Sequence, residues 1–111
     1  SAASDVYKRQ GYDWSVFTHG VRPGATPGEQ VEEVAARMSR IIAKAVPVLA
    51  ERDVALIGHG HALRILTTVW LRQEVRFAAQ LLLDAGSVSV LQYDKEFPSV
   101  RTWNRLPALP E

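Results

Sequence analysis

The stretch LIGHGHALR, residues 56–64, places two histidines and two glycines between an apolar run and a run with helical spacing. The overlapping DVALIG, residues 53–58, is a short apolar run bounded by charge and glycine, which is typical of a strand buried on both faces of a parallel sheet. Residues 61–72 are apolar almost all round, which indicates a helix covered by neighbouring elements. The histidines therefore lie at a predicted strand-to-helix junction.

A second helix is predicted upstream of this junction. Thr26 is a candidate N-cap, Pro27 suits the first helical position, and Glu29 completes a capping box with Thr26. Pro47 is a candidate point for a kink or a break. The predicted apolar face consists of Val31, Val34, Ala35, Met38, Ile41, Ile42, Ala45 and Leu49. The predicted solvent face carries Glu32, Glu33, Arg37, Arg40 and Lys44.

Short strands are predicted after the junction. Residues 81–83 are a candidate edge strand, residues 87–93 (SVSVLQY) begin with alternation, and residues 100–103 are their candidate antiparallel partner. Helix, buried strand, helix and short strands predict an α/β layer architecture with a mostly parallel sheet. This small number of strands would leave one edge of the predicted strand at 53–58 without a neighbouring strand. We therefore expect further strands to come from sequence N-terminal to this segment.

Composition limits the class of protein. The 111 residues, 47% hydrophobic and 23% charged, are sufficient for one globular domain. A net charge of +1 argues against a general nucleic-acid binder. The chain has no cysteine, which favours a reducing compartment, and its apolar stretches are too short and broken to span a membrane. We therefore expect a cytoplasmic protein.

The first ten residues, SAASDVYKRQ, differ from the rest of the chain. They have no apolar period, and residues 5–10 resemble the translation of the transposon end sequence used to fragment DNA for sequencing. We expect residues 1–10 to be a sequencing or assembly artefact. Residues 11–106 would then be the C-terminal part of a longer domain, with a loop at 11–25, and residues 107–111 an unstructured tail.

Four roles are open to the histidine pair. At the carboxyl end of a strand and beside a helix N-terminus, His59 and Gly60 suit an anion such as phosphate. A metal site would use His59 and His61, although the sequence shows no third ligand cluster. GHGHA matches the frame of an esterase elbow, but Gly60 at the nucleophile position has no side chain to attack with. Purely structural core or capping histidines remain the fourth interpretation.

A wider set of motifs bears on the choice between these four roles of the histidine pair. LIGHGHALRIL, followed by LDAGSVSVLQYD and RTWN, resembles the C-terminal half of bacterial members of the histidine phosphatase (phosphoglycerate mutase-like) superfamily. GATPGEQV echoes the family's G-E-S-x-E-Q-V helix start, with Ala25 in place of the usual acidic residue. The resemblance covers about residues 14–106. It implies a partial three-layer α/β sandwich with a mostly parallel sheet, an incomplete phosphoglycerate mutase-like domain.

The resemblance also implies roles for single residues. His59 matches the second catalytic histidine, which binds the phosphoryl group, and the backbone of Gly60 would contact the same oxygens. His61 is at a position that often lines the substrate pocket, and Arg64 matches a structural arginine. Ser87 lies near the start of a strand beside the pocket, where an ordinary strand role remains the simpler interpretation.

The implied chemistry is phosphoryl transfer through a phosphohistidine on a small phosphorylated metabolite, without metal or cofactor. The nucleophile belongs to an R-H-G motif, which does not occur in these 111 residues. THG, residues 18–20, lacks the arginine, so we interpret His19 as a loop histidine. We therefore expect an enzyme as the parent protein and an inactive fragment here. The alternative is a non-catalytic binding domain that retains the fold; the oligomeric state is left open.

Overall fold

A computed structural model describes residues 30–108, and these form three helices and one hairpin. The elements are listed in chain order: helix α1 (Val31–Leu49), helix α2 (Gly60–Trp70), a 3-10 helix (Val75–Gln80), strand β1 (Val88–Asp94) and strand β2 (Phe97–Arg105). The predicted artefact at 1–10, the loop at 11–25 with His19, the capping box at Thr26 and residues 109–111 lie outside the described residues.

Helix α1 confirms the predicted periodicity. All eight residues of the predicted apolar face are buried or half-buried, because spacings of three and four residues return to the same side of a helix. Within the described residues, the helix begins at Val31, and the backbone carbonyl of Gln30 accepts bonds from Glu33 and Val34. The helix continues through Pro47 to Leu49, since a proline in the last turn removes a single backbone donor.

Helix α2 is the centre of the core. Its residues Ala62, Ile65 and Leu66 are buried against Val34 and Met38 of α1, and Ala78 of the 3-10 helix closes the same cluster. The prediction that neighbouring elements bury this helix is thus confirmed. None of the described helices is long and apolar enough to cross a membrane.

Trp70 joins α2 to the hairpin. Its indole Nε1 donates to the carbonyl of Ser99 in β2 at 3.0 Å, and its ring lies 4.8 Å from the ring of Tyr93 in β1, measured between centroids. A buried indole needs such a partner for its N–H, so this bond fixes where the hairpin sits on the helix.

The hairpin was predicted and is longer than the sequence indicated. Strands β1 and β2 pair antiparallel from Val88 opposite Arg105 to Asp94 opposite Phe97, with irregular register between Val88 and Leu91. A two-residue turn connects them, and Lys95 in that turn has a φ of 57°. The left-handed conformation is what a tight hairpin turn requires.

The predicted mostly parallel sheet is not present within residues 30–108. The hairpin is the one sheet there, and the predicted strand at 53–58 joins no ladder. Instead of being buried on both faces, this segment leaves Ile57 88% exposed. The physical reason is the lack of a hydrogen-bonding neighbour: a strand needs a paired partner, and the described residues do not supply one.

The predicted edge strand at 81–83 is also absent, and side chains of β2 bond to Leu82 and to the adjoining Asp84 instead. The indole Nε1 of Trp103 donates to the carbonyl of Leu82 at 2.7 Å. The backbone N–H of Asp84 donates to Oδ1 of Asn104 at 2.8 Å, and Nδ2 of Asn104 returns a bond to Oδ2 of Asp84. The loop is therefore held without a strand ladder.

Candidate functional site

His59 is the N-cap of α2 and is almost completely buried, with 1% of its surface exposed. Its backbone is extended (φ −90°, ψ 148°), and its imidazole turns back over the first helical turn. There the ring Nδ1 accepts a hydrogen bond of 3.3 Å from the backbone N–H of His61. The histidine thus does what serine or aspartate does at most helix starts.

This bond decides which ring nitrogen carries the proton. A nitrogen that accepts from a backbone N–H holds a lone pair, so the imidazole proton of His59 lies on Nε2. Nε2 is therefore the hydrogen-bond donor of the side chain. The cap fixes both the tautomer and the orientation of the ring, as partners of functional histidines commonly do.

The first turn of α2 adds backbone donors to the same place. Gly60 is the first helical residue, and the N–H groups of a first turn have no carbonyl one turn earlier within the helix. These amides and the helix dipole favour a negative charge at this end. His59 and Gly60, predicted to lie side by side at a helix start, are placed there by the structure.

His61 is half-buried in the first turn of α2. Its pKa is lowered to about 4, chiefly by burial and to a smaller extent by the neighbouring His59, Arg64 and Arg37. The imidazole of His61 is consequently neutral at pH 7. It offers hydrogen bonding to a ligand and no charge.

Arg64 links α2 to the 3-10 helix. Its Nε donates to the carbonyl of Ala78 at 3.1 Å, and its Nη2 donates to the carbonyl of Ala79 at 3.0 Å. Partial burial lowers the pKa of Arg64, which nevertheless remains a charged group. The two bonds fit the structural role that the resemblance implied.

Arg37 is the residue that the sequence interpretation placed wrongly. We predicted it on the solvent face of α1, where Glu32, Glu33, Arg40 and Lys44 are indeed exposed, but its side chain is half-buried. Its charge acts on His61 of the neighbouring helix. The signal was present in the spacing, since position 37 stands three residues after Val34 and four before Ile41.

Ser87 has a local structural role. Its hydroxyl donates to the carbonyl of Asp84 at 2.8 Å, and its backbone N–H donates to the same oxygen at 3.2 Å. These bonds close the turn that leads into β1. They agree with the simpler of the two interpretations of this serine.

Within residues 30–108, no group of three or more histidine, cysteine, aspartate or glutamate side chains is arranged to hold a metal ion. A separate groove is lined by apolar and aromatic side chains, among them Ile42, Leu56, Trp70 and Leu91. Neither histidine contributes to it, so this groove is separate from the start of α2.

Two solved structures share the fold of this chain. The product of an open reading frame of Mycobacterium tuberculosis aligns with 85% of this chain and 47% of its own, at 24% identity and a TM-score of 0.74. The α-ribazole phosphatase of Shigella flexneri aligns with 96% of this chain and 55% of its own, at 17% identity and a TM-score of 0.65. At these identities the likeness establishes the α/β fold.

Sequence comparison supplies the family. An acid phosphatase of Mycobacterium tuberculosis is 28% identical over 82 residues, which are 74% of this chain and 38% of the relative. The sequence profile of the histidine phosphatase superfamily (branch 1) matches residues 2–106. The chain belongs to this superfamily, and it spans about half the length, or less, of the relatives named first in each comparison.

Proposed function

We propose that this chain forms one wall of the phosphate pocket of a phosphomonoester hydrolase or phosphotransferase that acts through a phosphohistidine. His59 is the residue of this wall that stabilises the transferring phosphoryl group. Gly60 binds the same oxygens through its backbone, and His61 lines the substrate side. The substrate class is a small phosphorylated metabolite.

One observation carries this proposal. His59 is buried, capped through Nδ1 by the His61 N–H, and left with Nε2–H as its donor at a helix start that attracts anions. A hydrogen bond from a fixed, desolvated donor is worth most where charge develops in the transition state. Superfamily membership gives this geometry its chemical context.

The proposed reaction has two displacements. A nucleophilic histidine from elsewhere in the complete domain attacks phosphorus, so an N–P bond forms while the ester P–O bond breaks, and an acidic residue protonates the leaving oxygen. Water then attacks phosphorus, its proton passes to the carboxylate, and the N–P bond breaks with its electron pair returning to the imidazole. In both steps His59 hydrogen-bonds an oxygen of the phosphoryl group.

We extend the proposal to the complete domain. There residues 53–58 would pair on both sides as a strand of a mostly parallel sheet, which would cover Ile57 and complete the sandwich predicted from the sequence. The absence of cysteine and the near-neutral charge support a cytoplasmic enzyme. The competing function is a binding domain without catalysis, and the residue at the R-H-G position of the complete domain separates the two.

The decisive experiment compares His59→Asn with the unaltered complete domain. Asparagine keeps a side-chain acceptor for the helix cap and removes the Nε2 donor. We expect kcat for p-nitrophenyl phosphate to fall by about a hundredfold to a thousandfold, while the unfolding temperature changes little. An acid-labile phosphohistidine should form in the unaltered enzyme.

His61→Gln serves as the matched control. The backbone N–H that caps His59 is retained, so the helix start should persist, and a residue at the rim should affect KM more than kcat. A His59→Asn enzyme with unchanged kcat would refute the proposed role of His59. A complete domain with no hydrolysis and no phosphohistidine would favour the binding domain.

A further inference from the structure

The apolar groove lies between residues 53–58 and strand β1. Val54 and Leu56 line it from the first of these segments, and Leu91 lines it from β1. Its floor consists of side chains of α1 and α2, which are Ile42, Ala45, Val46, Leu49, Leu66 and Trp70. None of the described residues that line the groove is charged. The groove therefore accepts apolar groups and offers no partner for a charge.

Residues 53–58 place their side chains as a strand does. Val54 and Leu56, two positions apart, both line the groove. The alternate residues Ala55 and Ile57 do not line it and are exposed, Ile57 to 88%. In a β-strand, successive side chains point to opposite faces of the sheet, so residues two apart share a face. The segment is therefore arranged to join a sheet that has α1 and α2 on its groove side.

The backbone of this segment has no strand beside it in the part of the chain that the structure describes. None of the N–H and C=O groups of residues 53–58 takes part in a backbone hydrogen bond there. Strand β1 is paired on one side by β2, and its other edge is open. Such edges are places where a further strand can pair. The groove thus lies between two segments that each have an unpaired backbone edge.

An added β-strand is the occupant that suits both the backbone edges and the apolar floor. A strand offers N–H and C=O groups along its edges and directs alternate side chains to one face. A small apolar ligand would cover the floor and leave the backbone groups of residues 53–58 unpaired. A docked helix would do the same, because its own backbone groups are bonded within the helix. The side chains that enter the groove must be uncharged, since none of its described walls carries a charge.

The superfamily relatives provide the source of such a strand. This chain spans 47% and 55% of two solved structures that share its fold, so about half of each lies outside the alignment. We propose that the groove receives one strand from the part of the superfamily domain that this chain does not span. This strand pairs with residues 53–58 on one side and with β1 on the other. The inference rests on the complete domain of the proposed function.

The added strand connects the hairpin to the proposed phosphate site. The order in the sheet becomes residues 53–58, the added strand, β1 and β2, so the hairpin is the edge of a larger sheet. Residues 53–58 lead directly into His59, the N-cap of α2. Pairing of this segment therefore fixes the point from which the helix start is presented.

The test compares the 111-residue chain with the complete domain by NMR. In the chain, the amides of residues 54–57 should exchange quickly with solvent, because they have no backbone acceptor. In the complete domain we expect their exchange to be slower by about a hundredfold or more. Nuclear Overhauser effects should connect residues 54–57 and β1 to one and the same third segment. Effects that connect residues 54–57 directly to β1, or that connect the two to different segments, overturn the proposal.

Leu56→Asp tests the apolar side of the groove. Leu56 is 43% exposed in the chain, and the added strand covers it. The substitution should therefore lower the unfolding temperature of the complete domain by about 5 °C or more beyond its effect on the 111-residue chain. Leu82→Asp, at a 73% exposed position outside the groove, is the matched control and should affect the two proteins alike.

The outcome of this comparison is decisive in either direction. If the complete domain with Leu56→Asp does not fold, the milder Leu56→Thr is compared in the two proteins in the same way. A Leu56 variant that lowers the unfolding temperature of both proteins equally overturns the proposal.

Failure of this inference and failure of the proposed function give different results. Slow exchange at residues 54–57 and a shared third segment, in a complete domain that forms no phosphohistidine, would refute the catalysis and retain the added strand. A phosphohistidine in a domain whose residues 54–57 still exchange quickly would do the reverse. If residues 54–57 become protected in the chain alone, together with a dimer in analytical ultracentrifugation, a second copy occupies the groove and the proposal is overturned.

Discussion

The backbone N–H of His61 donates to the ring Nδ1 of His59, so one histidine of the His-Gly-His sequence orients the other. The bond spans two residues at the start of α2 and leaves Nε2 as the donor of the buried imidazole. The donor is a backbone group, so the bond depends on the position of residue 61 and not on its imidazole. The pair is a helix cap and, in the proposed enzyme, a phosphate-binding group at the same time.

Protonation of His61 should destabilise the chain in acid. Its pKa is lowered from 6.5 to about 4 in the folded state, so the unfolded chain binds more protons between these pH values. The free energy of unfolding should therefore fall as the pH decreases from 6.5 towards 4. We expect a contribution of roughly 1–2 kcal/mol, reduced from the full linkage value because the side chain is partly exposed.

Urea denaturation at several pH values measures this contribution, with His61→Gln as the reference. The variant keeps the backbone donor to His59 and has no imidazole at position 61, so its stability should depend less on pH in that window. Parallel curves for the two proteins would show that His61 is not the group responsible.

Removal of the Arg64 guanidinium should loosen the 3-10 helix from α2. Arg64→Met keeps much of the side-chain bulk but leaves the carbonyls of Ala78 and Ala79 without their donors. We expect a loss of about 1–3 kcal/mol in the free energy of unfolding, and a smaller loss for Arg64→Lys. Arg76→Met, on the exposed surface of the 3-10 helix, is the control. Equal stability of the two methionine variants would contradict this prediction.

Asn104 combines a special backbone conformation with two side-chain bonds. Its φ is 56°, and its amide exchanges bonds with the backbone and carboxylate of Asp84. Asn104→Ala should cost about 1–2 kcal/mol, because both bonds are lost and alanine is strained at this φ. Asn104→Gly loses the same bonds but adopts the conformation readily, so it should cost less. Thermal unfolding of the two variants gives the comparison, and an alanine variant as stable as the glycine variant would show that the backbone strain is negligible.

The purified 111-residue chain should not hydrolyse p-nitrophenyl phosphate. The R-H-G motif that carries the superfamily's nucleophile does not occur in it, and a phosphate site without a nucleophile cannot form the covalent intermediate. The assay should include the His59→Asn chain, since turnover that persists in this variant comes from a contaminant. Turnover that the unaltered chain shows and the variant lacks would mean that the chain supplies its own nucleophile.

Local pattern was sufficient for α1, α2, the hairpin and the position of the histidines, whereas the 3-10 helix at Val75–Gln80 was not predicted. The spacing of Val31, Val34 and Met38 predicted the buried side of α1. Residues three and four positions apart lie on the same side of any α-helix, whatever the rest of the fold is. The His-Gly-His junction was recognisable as a helix start for the same reason. Its role as a cap depends on residues two positions apart and therefore lies within reach of the sequence.

Contacts between distant elements were not predictable in this way. A strand depends on its partners, so residues 53–58 have strand-like composition and yet form no ladder within the described residues. The environment of Arg37 depends on how α1 crosses α2, and the partners of Arg64 depend on where the chain returns as a 3-10 helix. Periodicity assigns a residue to a side of its own helix and gives no information on what that side meets.

The sequence by itself therefore determined the helix start at His59 and the apolar faces, since each is written in short-range spacing. The superfamily was implied by the resemblance of the ordered motifs and is established by the family profile over residues 2–106. Tertiary structure alone decided that His59 is buried and that His61 is neutral at pH 7. These properties arise from burial and from charges brought together by packing, and desolvation acts only once the chain has folded.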